Sequence, residues 1–176
     1  MVQEFELTAD DIIDFNMHHL GNLKSYLQTE RRNKMIIALI MIVALIYFLT
    51  KKNVPYYHYL ALLLIVLGAL AYSGYSACMK RSIARKIRKE IAEHESQGFV
   101  GFRRIEIDKY RISEFGSNGD SSCLWTAVRA IEKNDKLIIV YISAISAYII
   151  PKRVFKSDKE FDDYYDRIVE TRNALL

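Results

Sequence analysis

Six cations stand where their grouping gives them something to hold: Arg85, Lys86, Arg88 and Lys89 in one run, and Lys152 with Arg153 directly after Pro151. Ammonium and guanidinium groups bind phosphate and carboxylate oxygens through charge-assisted hydrogen bonds, and beside an anionic leaflet each cation adds about 1 kcal/mol of attraction. The first run reads as a grip on anionic lipid headgroups, or as a stop-transfer flank whose charges only fix topology. The second reads as a site for anionic headgroups or an acidic partner peptide beside a rigid proline. It reads equally as two solvated charges where a strand ends.

Other reactive residue types lack the spacing that their chemistry needs. His18 and His19 are adjacent, so on a helix they point about 100° apart, and only Asp14 lies at ligand spacing. Cys78 and Cys123 have no CxxC arrangement, which predicts free reduced thiols. Cys78 stands where palmitoylation is chemically feasible, or where a small apolar residue packs at a helix end. Glu106 with Asp108, and Asp162 with Asp163, fall on turns and a helix surface where solvation is their expected role. GxSxG, HExxH and a phosphate-cradling glycine loop are missing from the sequence. No catalytic residue, cofactor or metal is expected, and the class is a non-enzymatic protein.

The elements that position these groups begin with two apolar stretches, residues 33–50 and 55–79, separated by a short turn that carries Lys51 and Lys52. At ~1.5 Å per residue the first covers roughly 27 Å of a hydrocarbon core about 30 Å thick, and the second is longer. Together they predict a two-helix transmembrane hairpin. Tyr56, Tyr57 and Tyr59 at one end of the second stretch, and Tyr72 and Tyr75 near the other, are interfacial anchors. Nine cations flank the hairpin, from Arg31, Arg32 and Lys34 before it to Lys80, Arg81, Arg85, Lys86, Arg88 and Lys89 after it, against two in the turn. That asymmetry places both termini in the cytoplasm of a two-pass cell-membrane protein. The net charge of +4 comes largely from these flanks, so its partner is the lipid bilayer and no nucleic acid is expected. A transport path is disfavoured, because His58, Ser73 and Ser76 are nearly all the polar groups within the second span.

The polar flanks carry the rest of the fold. Residues 1–32 read as a short strand, Val2 to Leu7, then an amphipathic helix capped by Thr8 that runs from about Ala9 toward Arg31 and leads into the first span. Its apolar residues, Ile12, Ile13, Phe15, Leu20, Leu23 and Leu27, cover either the membrane surface or the C-terminal domain. Residues 80–97 read as a basic juxtamembrane helix stopped at Gln97-Gly98. Residues 98–176 change to a period of two: strands at 101–108, 111–115, 122–126, 127–133, 136–142 and 147–150 form a small antiparallel sheet or half-barrel. Ser157, with Glu160 three positions on, caps a closing C-terminal helix that ends near Leu175. Trp125, Ile107, Ile131, Ile139, Tyr141 and Ile149 are the predicted core. The fold class is thus a transmembrane hairpin plus an α+β cytoplasmic domain, with the first strand as a candidate seventh member of the sheet.

Leu124-Trp-Thr-Ala-Val128, Lys136-Leu-Ile-Ile-Val-Tyr141 and Ala147-Tyr-Ile-Ile-Pro-Lys-Arg-Val-Phe155, followed by a helix beginning near Phe161, resemble the C-terminal domain of the YcxB-like family of bacterial membrane proteins. Asp14-Phe-Asn-Met-His18 ahead of two spans is similar to that family's N-terminal part. The resemblance implies a fold related to bacterial pleckstrin-homology-like domains. It implies no biochemical activity, but a related group of membrane proteins with such domains protects producers against their own peptide antibiotics. Two functions are therefore carried forward: a small PH-like module that binds a protein or anionic-lipid partner, and an immunity protein against a membrane-active peptide.

Overall fold

The structure is a computed structural model, and it describes residues 1–50, 56–93, 100–116, 119–144 and 146–175. In chain order the elements are β1 (Val2–Leu7), α1 (Ala9–Asn22), α2 (Lys24–Thr50), α3 (Tyr57–Glu93), β2 (Gly101–Ile107), β3 (Arg111–Gly116), β4 (Ser121–Leu124), β5 (Ala130–Lys133), β6 (Leu137–Tyr141), β7 (Ala147–Pro151) and α4 (Asp158–Asn173). They divide into two compact units. One comprises Met1–Asn16 together with the chain from Ile87 onward, and the other is Met17–Lys86.

The first unit holds two small antiparallel sheets, β1-β2-β3-β4 and β5-β6-β7, with α4 at the C-terminal end. β1 is an edge strand of the first sheet: Leu7 pairs with Gly101 and Val2 with Glu106. The strand preceding the apolar stretches and the strand following them are therefore hydrogen-bonded neighbours. Alternation decides which side chains turn inward, so Phe5 and Leu7 of β1 meet Ile105 and Ile107 of β2, Ile112 of β3 and Tyr148 and Ile150 of β7 in the main core. Phe161, Tyr164 and Ile168 of α4, at helical spacing, pack into the same cluster. All five residues of β6 are buried. Ile138 and Val140 face the main core, while Leu137, Ile139 and Tyr141 form a second cluster with Phe15 of α1. Burial on both faces is why β6 reads as an unbroken apolar run.

Several expectations change. The N-terminal helix stops at Asn22, and Leu23 separates it from α2, so one helix does not run from Ala9 through Arg31. Its apolar residues divide accordingly: Ile13 and Phe15 are buried, whereas Leu23 and Leu27 are exposed. Trp125 is not on a strand. β4 ends at Leu124, and Trp125–Ala127 form a 3-10 turn whose Trp125 indole donates to the Asp108 carbonyl at 3.0 Å. β5 consequently begins at Ala130 instead of 127. Ile131 and Ile149 are half-buried at the margin, and Tyr148 and Ile150 take the inner register of β7. The turn at residues 51–55, the helix stop at Gln97-Gly98 and part of the turn between Gly116 and Asp120 lie outside the described residues.

In the second unit α2 and α3 pack antiparallel. Asn33 donates to the Tyr75 hydroxyl at 2.6 Å, Ser76 donates to Glu30 at 2.5 Å, and a Cβ added at Gly68 would overlap the Met41 side chain. Among the described residues one helix, α3, is long and apolar enough to cross a membrane, with a mean hydropathy of 1.9 over its most apolar window. α2 is 27 residues long. Its uncharged part begins only after Lys34, which leaves fewer residues than the roughly 20 a span ordinarily requires.

Candidate functional site

The six cations singled out from the sequence fall on two surfaces, and most of them already have anionic partners. The better defined surface surrounds the start of α1. Thr8 caps this helix in a reciprocal box: its hydroxyl accepts from the Asp11 N–H at 3.3 Å, while the Asp11 carboxylate accepts from the Thr8 N–H at 2.8 Å and the Thr8 hydroxyl at 2.7 Å. Asp11 is 7% exposed, and a buried carboxylate must be paired. Arg153 supplies the pair. Its Nη2 lies 2.5 Å from Oδ2, its Nε lies 3.4 Å from Oδ1, and Nη2 also donates to the Glu6 carbonyl. Burial works to raise the Asp11 carboxyl, but the hydrogen bonds from Arg153 and Thr8 outweigh it and hold the group below the usual carboxylate range.

Neighbouring charges repeat the arrangement. Asp14 accepts from Lys136 Nζ at 2.8 Å, and Asp10 pairs with Arg88. Three carboxylates of one helix start are thus met by cations from the end of α3, the approach to β6 and the exit from β7. Lys152 lies 3.1 Å from Asp158 in the first turn of α4 and 5.6 Å from the Phe161 ring centroid. Between these pairs runs a groove of 780 Å³, lined by residues that include Asp11, Lys136, Lys152, Arg153 and Lys156. Arg153 lines this groove as a strut between β7 and α1, which the reading of a solvated or headgroup-binding cation did not contain. The signal available in the sequence was the Thr8-x-x-Asp11 cap, which marks a helix start but says nothing of a partner 142 residues away.

On α3 the four cations differ from one another. Arg88 engages Asp10, Lys89 lies 3.4 Å from Glu93, and Arg85 Nε donates to the Arg81 carbonyl one turn back. Lys86 has no side-chain partner among the described residues. Lys80 and Arg81 extend the same run toward the apolar part of the helix, so its free positive charge is concentrated where the helix leaves its uncharged stretch.

A further polar group sits inside the first sheet. Arg103 on β2 is 7% exposed and lies 3.0 Å from Glu114 on β3, and Ser121 shares a 2.9 Å hydrogen bond with the Tyr148 hydroxyl. Burial raises the Glu114 carboxyl in spite of Arg103. Among the described residues no cluster of His, Cys, Asp and Glu is placed to hold a metal ion. Cys78 and Cys123 are free, and burial pushes the Cys123 thiol up. His18 lies 3.4 Å from the Asn22 amide.

Paired sheets closed by a helix, with charges spent on holding elements together, define an α+β domain in a chain that also carries a long apolar helix. Residues 107–168, from the end of β2 to the middle of α4, match the family described as YcxB-like protein, the same family that the tryptophan and Ile-Pro-Lys-Arg motifs resemble. No curated protein and no solved structure matches the chain.

Proposed function

We propose that this chain is a non-enzymatic integral membrane protein whose two helices α2 and α3 cross the bilayer as a hairpin and present a PH-like module in the cytoplasm to an anionic-lipid or protein partner. The observation that carries the reading is the pairing of β1 with β2. Strands on either side of the apolar segment belong to one sheet, so the chain must return to the side from which it left. If α3 crosses, α2 crosses too. Exposed Ile36, Leu39, Ile40, Val43 and Ile46 on α2, and Leu62, Leu63, Val66, Leu67 and Leu70 on α3, support lipid as their surroundings, since a soluble chain rarely exposes so large an apolar surface. The short uncharged part of α2 is compatible with crossing, because Lys34 can carry its ammonium to the interface along its apolar stem.

The division into a four-stranded and a three-stranded sheet with a C-terminal helix supports the PH-like assignment. Lys80, Arg81, Arg85 and Lys86 on α3 favour an anionic leaflet as the first partner. The cation asymmetry supports a cytoplasmic position for the module. On a background with Cys78 and Cys123 replaced by Ser, a membrane-impermeant maleimide should label Asn53→Cys in intact cells and fail to label Asp120→Cys until the cells are opened. Labelling at Asp120 in intact cells overturns the orientation, and labelling at neither position with full release by carbonate overturns membrane insertion.

A further inference from the structure

α2 carries a stripe in which cations give way to apolar residues at helical spacing: Lys24, Leu27, Arg31, Lys34, Met35 and Ala38 line one groove of 620 Å³, with Tyr72 of α3 on its far side. A second groove of 350 Å³ continues from it between α2 and α3. The two share Ala38 and Tyr72, and the second is lined almost wholly by apolar side chains, among them Ile42, Leu45, Ile65 and Ala69. A polar mouth thus opens into an apolar slot. Ala38 and Ala69 are small, and the slot exists because larger side chains do not fill it.

The mouth is positive. Three cations face one carboxylate, Glu30, and that carboxylate is occupied: Ser76 donates to it at 2.5 Å and Lys34 Nζ lies 3.0 Å away. These hydrogen bonds hold the Glu30 carboxyl below its usual range, and its contact with Lys34 fixes that side chain at the rim. Lys34 also lies 5.7 Å from the Tyr72 ring centroid, which places the ammonium at the junction of the two grooves. Lys24 and Arg31 have no side-chain partner among the described residues, and both are exposed. Arg31 and Lys34 are three residues apart, roughly 4.5 Å along the helix, a spacing at which one phosphate can accept from both.

We propose that this continuous groove is a binding site for one anionic phospholipid, its phosphate held by Arg31 and Lys34 and an acyl chain laid in the slot between α2 and α3. The proposal rests on the membrane reading above and adds to it a defined site, separate from the cation run of α3. Charge selects the headgroup and the slot selects a chain, so a free phosphate would satisfy only half of it.

The full-length protein in detergent micelles, titrated with phosphatidylglycerol or phosphatidylcholine and followed by native mass spectrometry, should retain phosphatidylglycerol at least tenfold better. Arg31→Gln with Lys34→Gln should abolish that preference, whereas Arg85→Gln with Lys86→Gln should leave it intact. Ala69→Phe, which fills the slot, should lower retention of both lipids while the circular dichroism of the protein stays unchanged. Inorganic phosphate should not compete. Equal retention of the two lipids by a protein that still resists carbonate extraction overturns the site and leaves the membrane reading standing. Release by carbonate overturns both. A groove that proves to be filled by a second copy, seen as a dimer that Ala69→Phe turns into a monomer, also overturns the site.

Discussion

Asp11→Asn removes one charge from the most buried ion pair at the start of α1 and should change how stability depends on pH. The folded carboxyl titrates below its unfolded value of about 3.9, so the stability it contributes is complete above that value and is lost as pH falls through the lower folded one. Glu114 acts with the opposite sign: its folded carboxyl is raised, so its contribution is present below the ordinary glutamate value and is lost as pH rises through the raised one. Urea unfolding at pH values between about 2 and 6 should therefore show a flatter acid limb in Asp11→Asn than in the parent chain. An unchanged acid limb would show that the Arg153 contact does not persist in solution. Trp125 is fully buried and its indole hydrogen is satisfied by Asp108, so Trp125→Ala should cost about 3–5 kcal/mol, read from thermal unfolding by circular dichroism. An unchanged melting temperature would make Trp125 a candidate contact residue instead. At this scale the sequence disclosed identity better than geometry. Trp125 was legible as core because it is a large apolar residue among turn signals, but its 3-10 turn was hidden by neighbours, Leu124 and Thr126, that also suit a strand. Arg153 beside Lys152 reads as a basic pair, and only folding shows that one of them spends its guanidinium on Asp11.

Elements with strong periodicity were readable, and those whose ends depend on distant partners were not. Ser157 caps α4 through the Glu160 N–H at 3.2 Å as its spacing predicts, yet the Glu160 carboxylate reaches back to the Lys156 N–H instead of to Ser157 itself. The helix break at Leu23 left little trace, because Gly21 and Asn22 are tolerated inside a helix and the apolar spacing continues past them to Leu27. Leu27 instead lines the groove beside Arg31 and Lys34. β6 was visible from its continuous apolar run, but that run cannot say that α1 covers one of its faces. A Cβ at Gly68 of α3 would overlap the Met41 side chain of α2. Gly68→Leu should therefore separate the helices. With cysteines at positions 33 and 75, whose native side chains meet at their tips, and with Cys78 and Cys123 replaced by Ser, a short bis-maleimide should cross-link the parent efficiently and the Gly68→Leu chain several-fold less. Equal cross-linking would mean that Met41 simply moves aside.

For the whole molecule, the first unit is discontinuous in sequence, and this decides which fragments can fold. A chain beginning at Lys80 contains six strands but lacks β1, so Phe5 and Leu7 are missing from the core and β2 becomes an open edge. Replacing residues 17–86 by a flexible glycine-serine linker keeps every residue of that unit. The linked chain should be water-soluble and melt cooperatively, while the fragment from Lys80 should aggregate or melt without cooperativity. Comparable melting of the two would show β1 to be dispensable. Two apolar segments and a mixed domain were legible from composition, whereas the membership of β1 was open, since six residues of alternation do not name the strand beside them.

Pairing β1 with β2 also sets an order of events during synthesis. The Ile107 N–H donates to the Met1 carbonyl at 2.7 Å, across 106 positions of chain. At about 5–20 residues per second a ribosome needs roughly 5–20 s between making those two groups. Throughout that interval β1 has no partner strand, while the apolar segment that separates the two is being made. Glu4 and Glu6, which alternate with Phe5 and Leu7, place charge along the waiting strand and oppose its pairing with other nascent chains. The sheet can therefore close only after the whole apolar segment between β1 and β2 has been made.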